Sequence, residues 1–206
     1  MSPVPARRRL SAADRRSQLI EVGCNAFAEL GYEAATVEEI ARRAGITKPI
    51  VYEHFGGKDG LYTVIIEHEA TCVLETISKA IAVGSPRERI EAAVLAFLGY
   101  VRDNPAGFAV LVRDSPASSR YASMLADIAS QVGCIFTEEF ERAGYDGRFA
   151  PIYAQALIGM VTSVGEWWDE DRSRPVEDVA SHVAALAWMG LRHLPRNPAR
   201  VNPSGT

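Results

Sequence analysis

Signals that start and stop helices recur along this chain at short intervals while strand signals are almost absent, and that contrast restricts it to an all-α fold. Ser11 with Asp14, Thr36 with Glu39 and Ser85 with Glu88 each place a hydroxyl three residues ahead of a carboxylate. That spacing lets side chains satisfy the open N–H groups at a helix start. Gly31, Gly45 and the pair Gly56 and Gly57 follow runs of helical period, where a residue without Cβ turns the chain out of the helix. No sustained apolar-polar alternation and no Asn-Gly hairpin turn occurs.

The first predicted helix runs about 18 residues from Ser11, with Leu19, Val22, Ala26, Phe27 and Leu30 at helical spacing, and stops at Gly31. A short second helix, Val37 to Arg43, turns Val37, Ile40 and Ala41 one way and ends at Gly45. The third opens with Thr47 as N-cap and Pro49 in its first turn, where a missing N–H needs no partner. A long fourth helix is expected from Lys58 to about Ala82, and a fifth opens at Ser85, Pro86 and Glu88 and reaches about Arg102. Asn104 and Pro105 open a short sixth. Segments near 118–143, 148–168 and 175–193 bring the expected total to about nine helices. This divides the chain into an amino-terminal three-helix domain with a basic arm, residues 1–57, a larger helical domain, 58–194, and a tail, 195–206, expected to be disordered.

With 206 residues, 48% hydrophobic and 23% charged, the chain is large enough to bury a core. Its longest nearly unbroken apolar stretches reach roughly ten residues, half of what spans a bilayer, so no membrane helix is expected. The opening MSPVPARRRL leads into no apolar signal segment, and residence in the cytoplasm is expected. Cys24, Cys72 and Cys134 are odd in number, widely spaced and without a CxxC pair, which fits reduced thiols. His68 and Cys72 stand four apart, but no further ligand follows at a suitable spacing, so neither metal nor cofactor is expected. The acidic group Glu166, Asp169, Glu170 and Asp171 lacks the glycine and alternating oxygens of a calcium loop. With no nucleophile elbow, Walker loop or dinucleotide fingerprint, nothing supports catalysis.

The net charge of −4 hides an asymmetry: residues 1–60 carry nine Lys or Arg against eight Asp or Glu, and the remainder 13 against 18. An amino-terminal part that meets a polyanion fits this split. The stretch TVEEIARRAGITKPIVYEHFGGKDGLY, residues 36–62, is the informative one. Two short helices joined through Ala44, Gly45 and Ile46 make a helix-turn-helix. Its inward set is Val37, Ile40, Ala41, Ile46, Val51 and Phe55, and its outward set Thr47, Lys48, Pro49, Ile50, Tyr52 and His54. A hydroxyl and an ammonium at the helix amino end favour anions, Tyr52 and His54 reach phosphate oxygens further along, and Lys58 does so from the next helix.

These residues resemble the DNA-binding domain of the TetR family of bacterial transcriptional repressors. Its pattern is matched by Thr36, Ile40, Ala41, Ala44, Gly45, Tyr52, Phe55, Lys58 and Leu61. The resemblance implies a homodimer that grips a palindromic operator in double-stranded DNA with two recognition helices and releases it when a small molecule enters the carboxy-terminal domain. It assigns Thr36, Thr47, Lys48, Tyr52, His54 and Lys58 to phosphates, and the amino end of the recognition helix, with Pro49 and Ile50, to bases. Ile50 departs from the small or hydroxyl residue often found there; it either presses on a thymine methyl or packs inward. The Arg7, Arg8, Arg9 cluster either enters a minor groove or forms a solvated end.

In the carboxy-terminal part, Ala156, Gly159, Met160, Ser163, Val183, Ala187 and Gly190 mark two helices rich in small and apolar residues, suited to a four-helix bundle between two chains. The family uses its last two long helices in this way. Phe97, Tyr100, Phe108 and Trp167 are candidates to line a cavity for an effector; apolar aromatic walls serve a pocket and a filled core equally. Two rival readings are a helical DNA-binding module regulated by a protein partner and a small helical enzyme.

Overall fold

The computed structural model describes residues 11–112 and 118–195, apart from the side chains of residues 118–125, 127 and 131. The Arg7 to Arg9 arm and the tail from residue 196 lie outside the described residues. Among the described residues there are nine α-helices and no strand: α1 (Ala12–Ala34), α2 (Val37–Ala44), α3 (Lys48–Phe55), α4 (Lys58–Ala80), α5 (Pro86–Asp103), α6 (Pro105–Val112), α7 (Ser118–Arg142), α8 (Ala150–Glu170) and α9 (Val176–Arg192). A 3-10 turn, Gly147–Phe149, leads into α8.

The helix starts follow their chemistry. Ser11 and Ser85 both make full capping boxes, each hydroxyl accepting from the N–H three residues on while that residue's carboxylate accepts from the serine N–H. Thr36 departs from the expected box. Its hydroxyl accepts from the Glu39 N–H at 3.2 Å, but the Glu39 carboxylate turns to Arg42 and Arg43, whose charge outweighs one backbone donor. The first helix also extends past the expected stop: Gly31 breaks it at φ 77°, ψ 163°, and a helical turn resumes to Ala34. Leu30, expected on the inner face, sits exposed beside that break.

The described residues through Thr71, with α6 from Ala106, form one compact unit. Leu19, Phe27, Ile40, Val51, Leu61, Ile65, Phe108 and Val110 are the largest of its fully buried side chains, each contributing roughly 1.5–3 kcal/mol by leaving water. Gly23 of α1 lies against Leu61 and Ile65 of α4, where a Cβ would stand 3.0 Å from each. The Phe27, Tyr32 and Tyr62 rings meet with centroids 4.8 to 6.0 Å apart, and the Tyr62 hydroxyl donates to the Val110 carbonyl at 3.3 Å. Burial pushes the Cys24 thiol up to about 12, so Cys24 packs as a small apolar group and stays un-ionised.

The second unit comprises the described residues from Cys72 through Pro105 and from Ser119 onward. Here α9 packs along α5 through Val176, Val179, Ala180, Val183, Ala184 and Ala187, and α8 also contacts α5. Gly165 of α8 admits the Phe97 ring, since a Cβ would come within 2.6 Å of it. Arg172, in the turn between α8 and α9, donates to the Val101 and Arg102 carbonyls at 3.0 and 3.2 Å and so closes the carboxyl end of α5. Trp168 is buried and donates its indole N–H to the Arg174 carbonyl at 3.0 Å.

Candidate nucleic-acid interface

The helix-turn-helix is built from the turn outward. Gly45 adopts the left-handed conformation, φ 65°, ψ 37°, and its N–H reaches the Arg42 carbonyl at 3.2 Å while the Ile46 N–H reaches that of Ala41 at 3.0 Å. This paired closure stops α2 within one residue and redirects the chain into α3. Val37, Ile40, Ala41 and Val51 are buried as expected. Ile46 and Phe55 are only half-buried, the Phe55 ring taking the Arg16 guanidinium 4.9 Å from its centroid. Further contacts brace α2 against α1: the Gln18 amide donates to the Ala44 carbonyl at 3.3 Å, and Arg43 joins Glu29 at 2.6 Å and Glu39 at 2.8 Å. Hydrogen bonds from Arg42 and Arg43 hold the Glu39 carboxyl at about 2.

On the outer side, Thr47, Lys48, Pro49 and Tyr52 are exposed, whereas Ile50 and His54 are half-buried. Thr47 occupies the N-cap position of α3 without a side-chain cap bond. The reason is local: Pro49 removes one N–H that a capping hydroxyl serves, and the Ile50 N–H goes to the Thr47 carbonyl at 3.1 Å. Tyr52 lies beside Gly57, whose positive φ of 135° closes the turn after α3. His54 tilts against Phe55 at 6.0 Å between centroids. Thr36 is exposed at the start of α2, and Lys48 ion-pairs with Glu38 across the starts of α2 and α3. That pair draws the Glu38 carboxyl below the usual carboxylate range.

Lys58 takes a different course from its neighbours. Its ammonium donates to the Glu33 carbonyl at 3.1 Å and stands 4.3 Å from the centroid of the Tyr32 ring, while the Tyr32 hydroxyl donates to Asp59 and is pushed up to about 12 by that bond. The eight interface residues chosen from sequence thus fall at the start of α2, along α3 and at the start of α4. Sequence reasoning missed Glu38, Glu29 and Arg16. Paired acids in the first turn of α2 were the available signal for Glu38, but its partner ten residues on is set by the turn.

In the second unit, Phe97 and Tyr100 are buried on α5, while Trp167 is 48% exposed, with the Arg174 guanidinium 5.3 Å from its ring centroid. Phe108 is buried in the first unit. Ala156, Gly159, Ser163 and Gly190 are exposed and Met160 half-buried, whereas Val183 and Ala187 are buried inside the chain on the face of α9 that packs along α5. Among the described residues no three His, Cys, Asp or Glu side chains gather as a metal site requires, and no helix is long and apolar enough to cross a membrane.

The head and the remainder each match a known family. A profile described as bacterial regulatory proteins, tetR family, covers residues 19–65, and one described as tetracyclin repressor-like, C-terminal domain, covers residues 83–191. The chain is 27% identical over 191 residues to the HTH-type transcriptional activator FasR of Mycolicibacterium smegmatis, spanning 91% of this chain and 87% of that protein. It is 37% identical over 86 residues to the HTH-type transcriptional regulator BetI 1 of Chromohalobacter salexigens, 39% of this chain and 41% of that one. A TetR-like transcriptional regulator from Rhodococcus sp. RHA1 superposes with a TM-score of 0.75 at 25% identity, covering 90% of this chain and all of the other. The fatty acid degradation regulator FadR from Bacillus halodurans shares the fold with a TM-score of 0.74 at 19% identity, covering 91% of this chain and 100% of that one. These relatives are transcriptional regulators, not enzymes.

Proposed function

The chain belongs to the TetR family of DNA-binding transcriptional regulators, and on that premise we propose that it acts as a homodimeric repressor that a small apolar or amphipathic effector releases from a palindromic operator. The observation that carries the proposal is the exposed ridge of α3 above a buried Val37, Ile40 and Val51: a rigid face with hydroxyl, ammonium and phenol groups at groove scale. Thr36, Thr47, Lys48, Tyr52, His54 and Lys58 take phosphates, the last after leaving Glu33, and Pro49 with Ile50 meets base edges by apolar contact.

Exposed apolar surface on α8 and α9 supports a second copy as the partner. Ile152, Ala156, Gly159, Ser163 and Trp167 follow one face of α8, and Leu186, Met189 and Gly190 one face of α9, with Leu186 66% exposed. Among the described residues, no atom beyond the helix's own adjoining backbone stands within 4 Å of a Cβ built at Gly159 or Gly190, so another helix has room to approach closely there. Val183 and Ala187, already covered within the chain, support that face from beneath. The effector is taken up in the second unit, where Phe97 and Tyr100 meet it, and it acts by preferring the conformer that DNA disfavours.

A second reading, activation in place of repression, is favoured by the likeness to FasR, named as an activator, across most of both chains. One experiment addresses both. Lys48→Ala and Tyr52→Ala weaken binding to duplex from the gene's own upstream region by about tenfold each, with affinity falling steeply as salt rises, and leave the mass in solution at that of a dimer. In transcription assays with that template, added protein lowers the transcript in the first reading and raises it in the second. A monomeric mass for the wild-type protein, or salt-insensitive binding, overturns the proposal.

A further inference from the structure

Among the described residues of the head, several cations are engaged within the chain. Arg42 and Arg43 pair with Glu39, and Arg43 with Glu29, so these contacts brace α2 internally and against α1. The Lys48–Glu38 pair is of another kind. It joins the first residue of α3 to the first turn of α2, and both side chains are solvent-exposed, 45% and 62%. The same ammonium stands 5.8 Å from the centroid of the exposed Tyr52 ring, so the tether lies on the outer face of the ridge.

A duplex docked on that ridge offers Lys48 oxyanions of the kind Glu38 already supplies. To meet a phosphate, Lys48 leaves Glu38, and an uncompensated carboxylate then stands beside the phosphates at like charge. We infer that Glu38 is an internal stand-in for phosphate that competes with the duplex for Lys48 and so lowers the affinity of the head for DNA. The inference rests on Lys48 being a phosphate contact. Non-specific binding is almost wholly the phosphate term, so a random-sequence duplex registers the exchange directly. A matched duplex adds base contacts, which are the same with and without Glu38, so the exchange costs it no less.

The test uses the full chain and four proteins: wild type, Glu38→Gln, Lys48→Gln and the double variant. Each is titrated by fluorescence anisotropy against a random-sequence duplex and against a duplex that the wild type selects from a random pool, over a range of salt. Circular dichroism melts establish that all four fold. Glu38→Gln tightens the random duplex about fivefold, the scale of one exposed ion pair, and steepens its salt slope by about 0.9, one further phosphate. The selected duplex tightens by at least as much, and both gains vanish in the double variant. Unchanged random-duplex affinity and slope in Glu38→Gln, or a selected duplex that does not tighten, overturns the inference while Lys48→Gln still weakens binding. Wild-type affinity in Lys48→Gln removes the phosphate contact itself and the inference with it.

Discussion

Replacing Gly60 by alanine tests how the recognition helix is joined to the helix behind it. Gly60 is the third residue of α4, where alanine should stabilise the helix by up to ~1 kcal/mol on propensity alone. The surroundings oppose that gain. A Cβ at Gly60 would lie 1.8 Å from the Phe55 carbonyl oxygen and 3.0 Å from its carbon. Phe55 is the last residue of α3, and the clashing atom is backbone, so no rotamer change relieves it. Reaching even the 3.0 Å limit of real contacts requires the end of α3 and the start of α4 to part by about 1.2 Å. The next residue, Leu61, is fully buried, so that movement strains a packed core at a cost of about 2–3 kcal/mol. The net loss is about 1–2 kcal/mol, a fall in Tm of roughly 2–8 °C for a chain of this size. Gly99→Ala is the control: Gly99 lies within α5 and, among the described residues, no atom beyond the helix's own adjoining backbone comes within 4 Å of a Cβ there, so the substitution should raise Tm by about 2–3 °C. Thermal melts followed by circular dichroism decide the matter. A Gly60→Ala protein that melts with or above the wild type would refute the reasoning, because propensity would then have outweighed the clash.

Arg172→Ala removes two donors from the last carbonyls of α5 together with the Asp169 ion pair, and should cost about 2 kcal/mol in denaturant unfolding. Arg172→Lys, without a planar fork, recovers less than half; full recovery would show that charge alone matters. Glu39 provides a pH test: its carboxyl lies at about 2 when folded against about 4.3 in a free chain, so its contribution is present above about pH 4.3 and is lost as pH falls through about 2. The Tm gap between wild type and Glu39→Gln therefore narrows across that window and is flat above about pH 5; a constant gap throughout refutes the assignment.

Legibility divided along a physical line. Where a helix begins or ends depends on residues three or four apart, and Ser11, Ser85, Gly45 and Gly56 act in the fold as their local chemistry requires. Thr36 failed as a full box for a reason that is also local but electrostatic: two arginines one turn on compete for the Glu39 carboxylate. Thr47 lost its hydroxyl cap to the proline that marked the helix start. The faces of α9 were harder. Small and apolar residues line both sides of it, and period alone does not say which side meets α5 and which meets solvent. Val183 and Ala187 lie inward and Leu186 and Met189 outward because of where α5 runs.

The sequence by itself determined the all-helical character, the turn at Gly45 and the ridge from Thr47 to His54, since each depends on short-range backbone conformation and on period. Only the tertiary structure decided that Lys48 is held by Glu38, that Lys58 bends back to Glu33, that Arg172 closes α5 and that Gly60 has no room for a methyl group. Such contacts join residues whose separation along the chain carries no information about their separation in space. They exist only once the packing of apolar faces has set the distance between helices, and that distance is a property of the whole core.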